Sequence, residues 1–169
     1  MQRTPLSGMA CSIAQTLDVA GEWWTPLILR DVYVGLSRFE QIRANLGISR
    51  KILTARLETL VDSGVLERRP YQGAPPRYDY LLTEKGRELV VAILALMAWG
   101  DRWAAPDGPP VLIEHRGCGK RTRPEVTCAC CGEALSADDL DIHAGPGSRS
   151  GPGTRHIGEA LERRHAARS

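Results

Sequence analysis

The chain is poor in aromatic side chains, with one Phe, four Trp and four Tyr among 169 residues. It also lacks long apolar runs. The longest, Leu89 to Trp99, has 11 residues, well short of the ~18 that a membrane-spanning helix needs. No apolar stretch follows Met1-Gln2-Arg3-Thr4-Pro5, so no secretory signal is read there. A cytoplasmic protein with no membrane partner is the expectation. Charge of one sign is not in excess either: 22 Lys+Arg stand against 20 Asp+Glu, a net +2. The total by itself therefore does not point to a polyanionic partner. Enzyme signatures are missing too. There is no Gly-rich phosphate loop, no nucleophile elbow and no His-Glu-x-x-His helix. A thiol enzyme would need a histidine base near a cysteine. Of the four histidines, at 115, 143, 156 and 165, only His115 lies near cysteines, and a ligand role accounts for it better.

What is present is ordinary for a globular protein: 43% hydrophobic and 25% charged residues. The length suits one domain with some chain to spare. Three textures follow one another. Residues 10–105 hold the helical patterns and nearly all large aliphatic side chains. Residues 106–144 open with Pro106-Asp107-Gly108-Pro109-Pro110 and contain four of the five cysteines. Residues 145–169 begin with a Gly/Pro/Ser-rich linker and end in a charged tail, expected to be flexible.

Within residues 10–105, Ile13, Leu17 and Ala20 repeat at helical spacing, and Gly21 is a plausible stop. Trp24 to Tyr33 reads as a second helix, with Pro26 tolerated in its first turn. Ser37 and Arg38 open a third, carrying Phe39, Ile42 and Leu46 on one face and interrupted at Gly47. Ser49 is a good N-cap for a fourth, which runs to about Ser63 and ends at Gly64. In that helix Leu53, Leu57, Leu60 and Val61 form one stripe that must face a core. Lys51, Ala55 and Glu58 lie opposite it, with Arg50, Thr54 and Arg56 on the flanks. Val65–Arg69 and Tyr78–Leu82 are extended, joined by a Pro/Gly-rich loop. Thr83 caps a long helix to about Ala105.

This order is that of a winged helix–turn–helix, in a fold that is mainly α (α+β) with a long dimerisation helix and a small Cys/His-containing hairpin extension. In such folds the second helix of the motif enters the DNA major groove, with its N-terminal residues at base edges. Ser49, Arg50, Lys51, Thr54 and Arg56 are therefore the candidate readers of double-stranded DNA. Arg38 is a phosphate anchor, and Arg69, Tyr71 and Arg77 serve the wing at residues 65–82. Charge placement agrees. Residues 38–77 carry eight basic and four acidic side chains, a local +4 that leaves −2 for the rest. The competing reading is that these charges only solvate helix faces.

Linked motifs in this stretch carry a family resemblance. They are Cys11, Leu17-Asp18, Leu27-Ile28-Leu29-Arg30, Arg38-Phe39, Gly47-Ile48-Ser49, Leu53-Thr54, Arg56-Leu57, Leu60, Gly64, Pro75-Pro76-Arg77, Tyr80, Leu82-Thr83 and Gly86. Over residues 10–105 the chain resembles the HxlR-type transcriptional regulators, which are MarR-like winged-helix proteins. The resemblance implies a homodimeric DNA-binding regulator of nearby genes with a small-molecule or redox effector. Glu22-Trp23-Trp24 departs from the Gly-Lys-Trp-like family sequence, which puts a backbone contact or a regulatory surface there in question. A cysteine near position 11 sometimes senses oxidants in the family, and a thiol close to a helix N-terminus is the more reactive kind. A buried small hydrophobe is the alternative for Cys11.

The residues alone also argue for a dimer. The helix after Thr83 is apolar almost all round from Leu89 to Trp99, and Trp103 extends the stripe. A small domain covers only one side of such a helix. A second copy would cover the other, matching a pseudo-palindromic operator; the Cys-rich extension is the competing cover. The expected function is a homodimeric repressor. The alternatives are a thiol-based redox sensor using Cys11 and a winged helix that binds protein rather than DNA.

Finally, His115-Arg-Gly-Cys118-Gly119 and Cys128-Ala-Cys-Cys131-Gly132 repeat one pattern: ligand, two residues, Cys, Gly. Zinc takes four N/S ligands in a tetrahedron, and this spacing lets a tight turn present two of them. No cofactor is required by the motifs of residues 10–105. A structural Zn²⁺ on His115, Cys118, Cys128 and Cys131 is the candidate, against a metal-free hairpin of reduced thiols. Cys130 is spare and could replace Cys128 or pair with another thiol.

Overall fold

A computed structural model of the chain, describing residues 6–167, shows two compact units. One is Pro26–Leu135; the other joins the described parts of Met1–Thr25 and Ser136–Ser169. This division differs from the sequence-based one at 105/106 and 144/145. The Cys/His segment groups with the winged helix as far as Leu135, and the N-terminal segment groups with the tail. The Met9 thioether lies against Gly153, where any Cβ would meet its sulfur at 2.5 Å. Any side chain there would displace that thioether and would also have to adopt the φ of +74° that Gly153 takes.

In the unit that contains both ends, α1 (Ser12–Ala20) closes at Gly21, whose N–H donates to Leu17 O at 2.8 Å. The Leu6 N–H donates to Asp18 Oδ1 at 2.9 Å. Ala14 is buried, whereas Ile13 and Leu17 are exposed. The stripe read from the sequence thus faces outward for most of its length. The tail, expected to be flexible, instead carries α6 (Ile157–Ala166). Its charges account for this: Glu159 lies in the first turn and Arg163, Arg164 and His165 in the last, complementing the helix dipole. Glu159 and Arg163 also form an i,i+4 pair at 3.8 Å.

In the larger unit, α2 (Trp24–Tyr33) continues from Pro26 and leads to α3 (Phe39–Leu46) and α4 (Arg50–Asp62). The hairpin of β1 (Leu66–Gln72) and β2 (Arg77–Leu82) follows, then α5 (Glu84–Trp103). A second, smaller hairpin pairs β3 (Ile113–His115) with β4 (Lys120–Thr122). The core is aliphatic. Ile28, Leu29, Ile42, Ile48, Leu53, Leu57, Leu60, Val65, Leu66 and Val90 are all buried. The α4 stripe expected from periodicity faces this core through Leu53, Leu57 and Leu60, with Val61 only half-buried. Asp31 is the one charged group in the core among the described residues, 1% exposed. It is held by Arg30 at 2.7 Å and accepts from Asn45 Nδ2 at 2.7 Å. A buried carboxylate needs such partners, and these tie α2 to α3.

β1 is longer than its sequence suggests, running through Pro70 to Gln72. Pro70 is exposed and pairs with Tyr78 just before a register irregularity. A proline is admissible there because a two-stranded ribbon has free edges. Among the described residues, no helix is long and apolar enough to cross a membrane.

Candidate nucleic-acid interface

The turn between α3 and α4 sets the geometry. Gly47 has φ +63°, the left-handed conformation that ends α3 and turns the chain. Ile48 is buried and anchors the turn. Ser49 Oγ then accepts from the Ile52 N–H at 3.3 Å, capping α4. With Leu53, Leu57 and Leu60 inward, the outward face of α4 presents Arg50, Lys51, Thr54, Ala55 and Glu58, all exposed. Arg56 is half-buried on the flank.

The wing stands beside this face because Ser37 and Arg38 join its edge. The Tyr80 N–H donates to Ser37 O at 2.7 Å, and the Ser37 hydroxyl donates to Asp79 Oδ1 at 3.1 Å. Arg38 Nε binds the same Asp79 oxygen at 3.1 Å, and its guanidinium lies 4.2 Å from the Tyr71 ring centre. Arg38 thus reaches the wing from the N-cap of α3, where its own N–H donates to Gln41 Oε1 at 3.1 Å. Arg69 lies on β1 opposite Asp79, and Arg77 opens β2, both exposed. A groove of about 550 Å³ lies between the start of α3, the start of α4 and the wing tip. Arg38, Arg50, Arg77, Tyr71 and Tyr80 line it, and Glu40 is its only acid among the described residues. Tyr80 is half-buried, and that burial pushes its hydroxyl above the ordinary tyrosine range. It stays a hydrogen-bond donor at neutral pH.

Of the predicted contact residues on α4, Arg50 is already engaged. Arg50 is paired with Glu40 and lies 5.0 Å from the Phe39 ring centre. Arg43 binds Glu40 as well, at 2.8 Å. The Glu40 carboxyl is held below the usual range, first by the hydrogen bond from Arg43 and then by Arg50. These arginines are therefore oriented before any phosphate arrives. One exposed side chain on this face escaped the sequence reading: Ile52, 42% exposed beside Lys51. It falls off the Leu53–Leu57–Leu60 stripe, a signal available from the helical wheel, and an exposed aliphatic group there suits a thymine methyl.

Comparison with known proteins fits this geometry. The family model for the HxlR-like helix-turn-helix matches residues 19–108. The chain belongs to the HxlR-like helix-turn-helix family. An uncharacterized HTH-type transcriptional regulator of Mycobacterium bovis is 43% identical over 140 residues, 82% of this chain and 89% of that one. The crystal structure of PA1607, assigned as a transcription factor, is 34% identical with a TM-score of 0.73. That match covers 84% of this chain and all of the other. The redox regulator HypR in its reduced form gives 32% identity and a TM-score of 0.51, over 54% of this chain and 92% of its own. The HxlR-like chain is thus a winged helix–turn–helix protein of a transcriptional regulator family, as its motifs imply.

The thiols of this HxlR-like protein are all unpaired. Cys11 is half-buried at the N-cap of α1. In the Cys/His segment both turns are wound. Cys118 Sγ lies 3.5 Å from His115 Nδ1, and the Cys118 and Gly119 N–H groups donate to His115 O at 3.2 and 2.8 Å. The Gly132 N–H donates to Cys128 O at 2.8 Å, and Thr127 bridges Ala134. The N–H groups of Cys131 and Cys130, in that order, hold the Cys128 thiol below its ordinary range. Among the described residues, however, no three His, Cys, Asp or Glu side chains gather at metal-binding distance. The structure winds both turns and does not bring His115, Cys118, Cys128 and Cys131 together.

Proposed function

We propose that the protein is a homodimeric repressor that binds a pseudo-palindromic operator in the cytoplasm. The observation that carries this reading is the convergence of the α4 N-terminus and the wing on one groove rich in arginine. Phosphates would be held by Arg38, Arg69 and Arg77, so affinity falls steeply with salt. Base discrimination would come from Arg50, Lys51, Ile52 and Thr54 at the start of α4. A second copy would cover the outward stripe of α5, where Val91, Leu96, Trp99 and Trp103 are each 60–65% exposed. Such apolar exposure on one helix marks an interface.

The test is a gel shift and footprint on the DNA upstream of the protein's own gene, at two salt concentrations. Arg50→Ala and Lys51→Ala should each weaken operator binding about tenfold, the cost of a good base contact. Helix content and oligomeric state should not change. Wild-type affinity in both variants would show that DNA is read elsewhere or not at all.

A further inference from the structure

The segment from Pro106 to Leu135 has a physical problem that its hairpins do not solve. No side chain in it is buried; only Ile113, Pro124 and Cys128 reach even intermediate burial. β3 and β4 are three residues each. A segment of this size without a core is held together by a metal or by disulfides, and all its thiols are free. We propose that one Zn²⁺ closes this segment, held by His115 through Nδ1 and by the thiolates of Cys118, Cys128 and Cys131.

The first half of the site already has the required spacing. Zn–S and Zn–N bonds of about 2.3 and 2.0–2.1 Å at a tetrahedral angle place the two ligand atoms about 3.5 Å apart. His115 Nδ1 and Cys118 Sγ stand 3.5 Å apart. Gly117 makes that approach possible, because a Cβ there would lie 2.9 Å from His115 Cε1 and displace the ring. Gly119 and Gly132, each directly after the second ligand of its turn, take φ of +65° and +78°. Side chains resist that conformation.

The second half distinguishes among three thiols. Cys128 is the half-buried thiol of the three, and its own N–H donates to Glu133 O at 2.8 Å. Cys128 therefore has the position of first ligand and Cys131 that of second, while Cys130 sits at the exposed crest of the turn. The chain linking the two halves runs through β4 and then Arg123–Val126, which lies outside both hairpins. Binding releases three thiol protons to solvent and leaves a site of net charge −1. Arg116, Lys120 and Arg121, on or beside the first turn, offset that charge. All four positions are protein ligands, so the role is structural.

The experiment measures zinc per chain in full-length protein purified without chelator. About one zinc per chain is expected. Cys118→Ser, Cys128→Ser and Cys131→Ser should each lose most of it, and Cys130→Ser should keep it. Less than ~0.3 zinc per chain in the wild type overturns the proposal, since folded structural sites hold their metal tightly. So does loss in Cys130→Ser equal to that in Cys128→Ser, or an intramolecular disulfide among these cysteines in freshly purified protein. Should the serine variants fail to fold, cobalt(II) exchanged into the wild-type chain gives a second reading. A tetrahedral spectrum with thiolate-to-metal charge transfer is expected, and the weak spectrum of an octahedral ion would overturn the site. His115→Cys should keep the metal and shift the cobalt d–d bands to lower energy.

Discussion

At the residue scale, the acid in the groove matters as much as the bases. Glu40 holds both Arg43 and Arg50, so part of the recognition surface is neutralised before DNA binds. Removing its charge should release Arg50 and take a repulsive carboxylate away from the phosphates. Glu40→Gln is expected to raise DNA affinity severalfold and to steepen its salt dependence, both read from gel shifts at several salt concentrations. Because the carboxyl is held below its unfolded range, its pairing supports the fold above the unfolded pKa. That support is lost as pH falls through the lowered folded value. Acidification should therefore act in the same direction as the substitution. Arg50 and Lys51 were legible from the helical wheel alone. The Arg38–Asp79 pair was not, because its partners lie 41 residues apart and meet only when the wing folds back.

At the element scale, the starts and stops of the helices were legible because they rest on local chemistry. Ser49 and Thr83 cap, Gly21 and Gly47 stop, and Pro26 sits in a first turn. The wing's extension through Pro70 was hidden, since proline argues against a strand unless the edge is known to be free. The α6 helix was hidden because its weak apolar stripe says little and its charge order had to be weighed instead. The junction of wing and α5 was also invisible. Gly86 is buried there, and a Cβ would lie 2.2 Å from Val65 O. Gly86→Ala must push backbone away from backbone, and should cost about 1–3 kcal/mol, the usual range for overpacking. A lower urea midpoint with an unchanged slope would report it.

At the scale of the whole molecule, net charge is a poor guide and its distribution a good one. Of the basic residues behind the +4 over residues 38–77, Arg38, Arg50 and Arg77 line one groove, which no composition figure reveals. Likewise the apolar length of α5 was legible, but which side the domain covers was not. Val90 faces the core, and Val91, Leu96, Trp99 and Trp103 face away. If a second copy covers that stripe, Trp99→Arg should weaken dimerisation at least ~10-fold, as loss of an aromatic anchor does. Light scattering would show monomer at micromolar concentration, and operator binding would become steeply dependent on protein concentration. An unchanged mass would assign the stripe to another partner.

The corner at Gly64 has one more consequence. Thr83 Oγ1 lies 2.7 Å from Gly64 O and 3.1 Å from Val65 O, and accepts from the Gly86 N–H at 3.1 Å. Lys85 Nζ adds a bond to Ser63 O at 2.8 Å. The first turn of α5 thus grips the last turn of α4, leaving no loose joint between them. α4 runs about 20 Å from this joint, at 1.5 Å per residue, with Arg50 and Lys51 at its far end. A twist of α5, were one imposed at its exposed face, would be handed to α4 through these bonds rather than absorbed between the two helices.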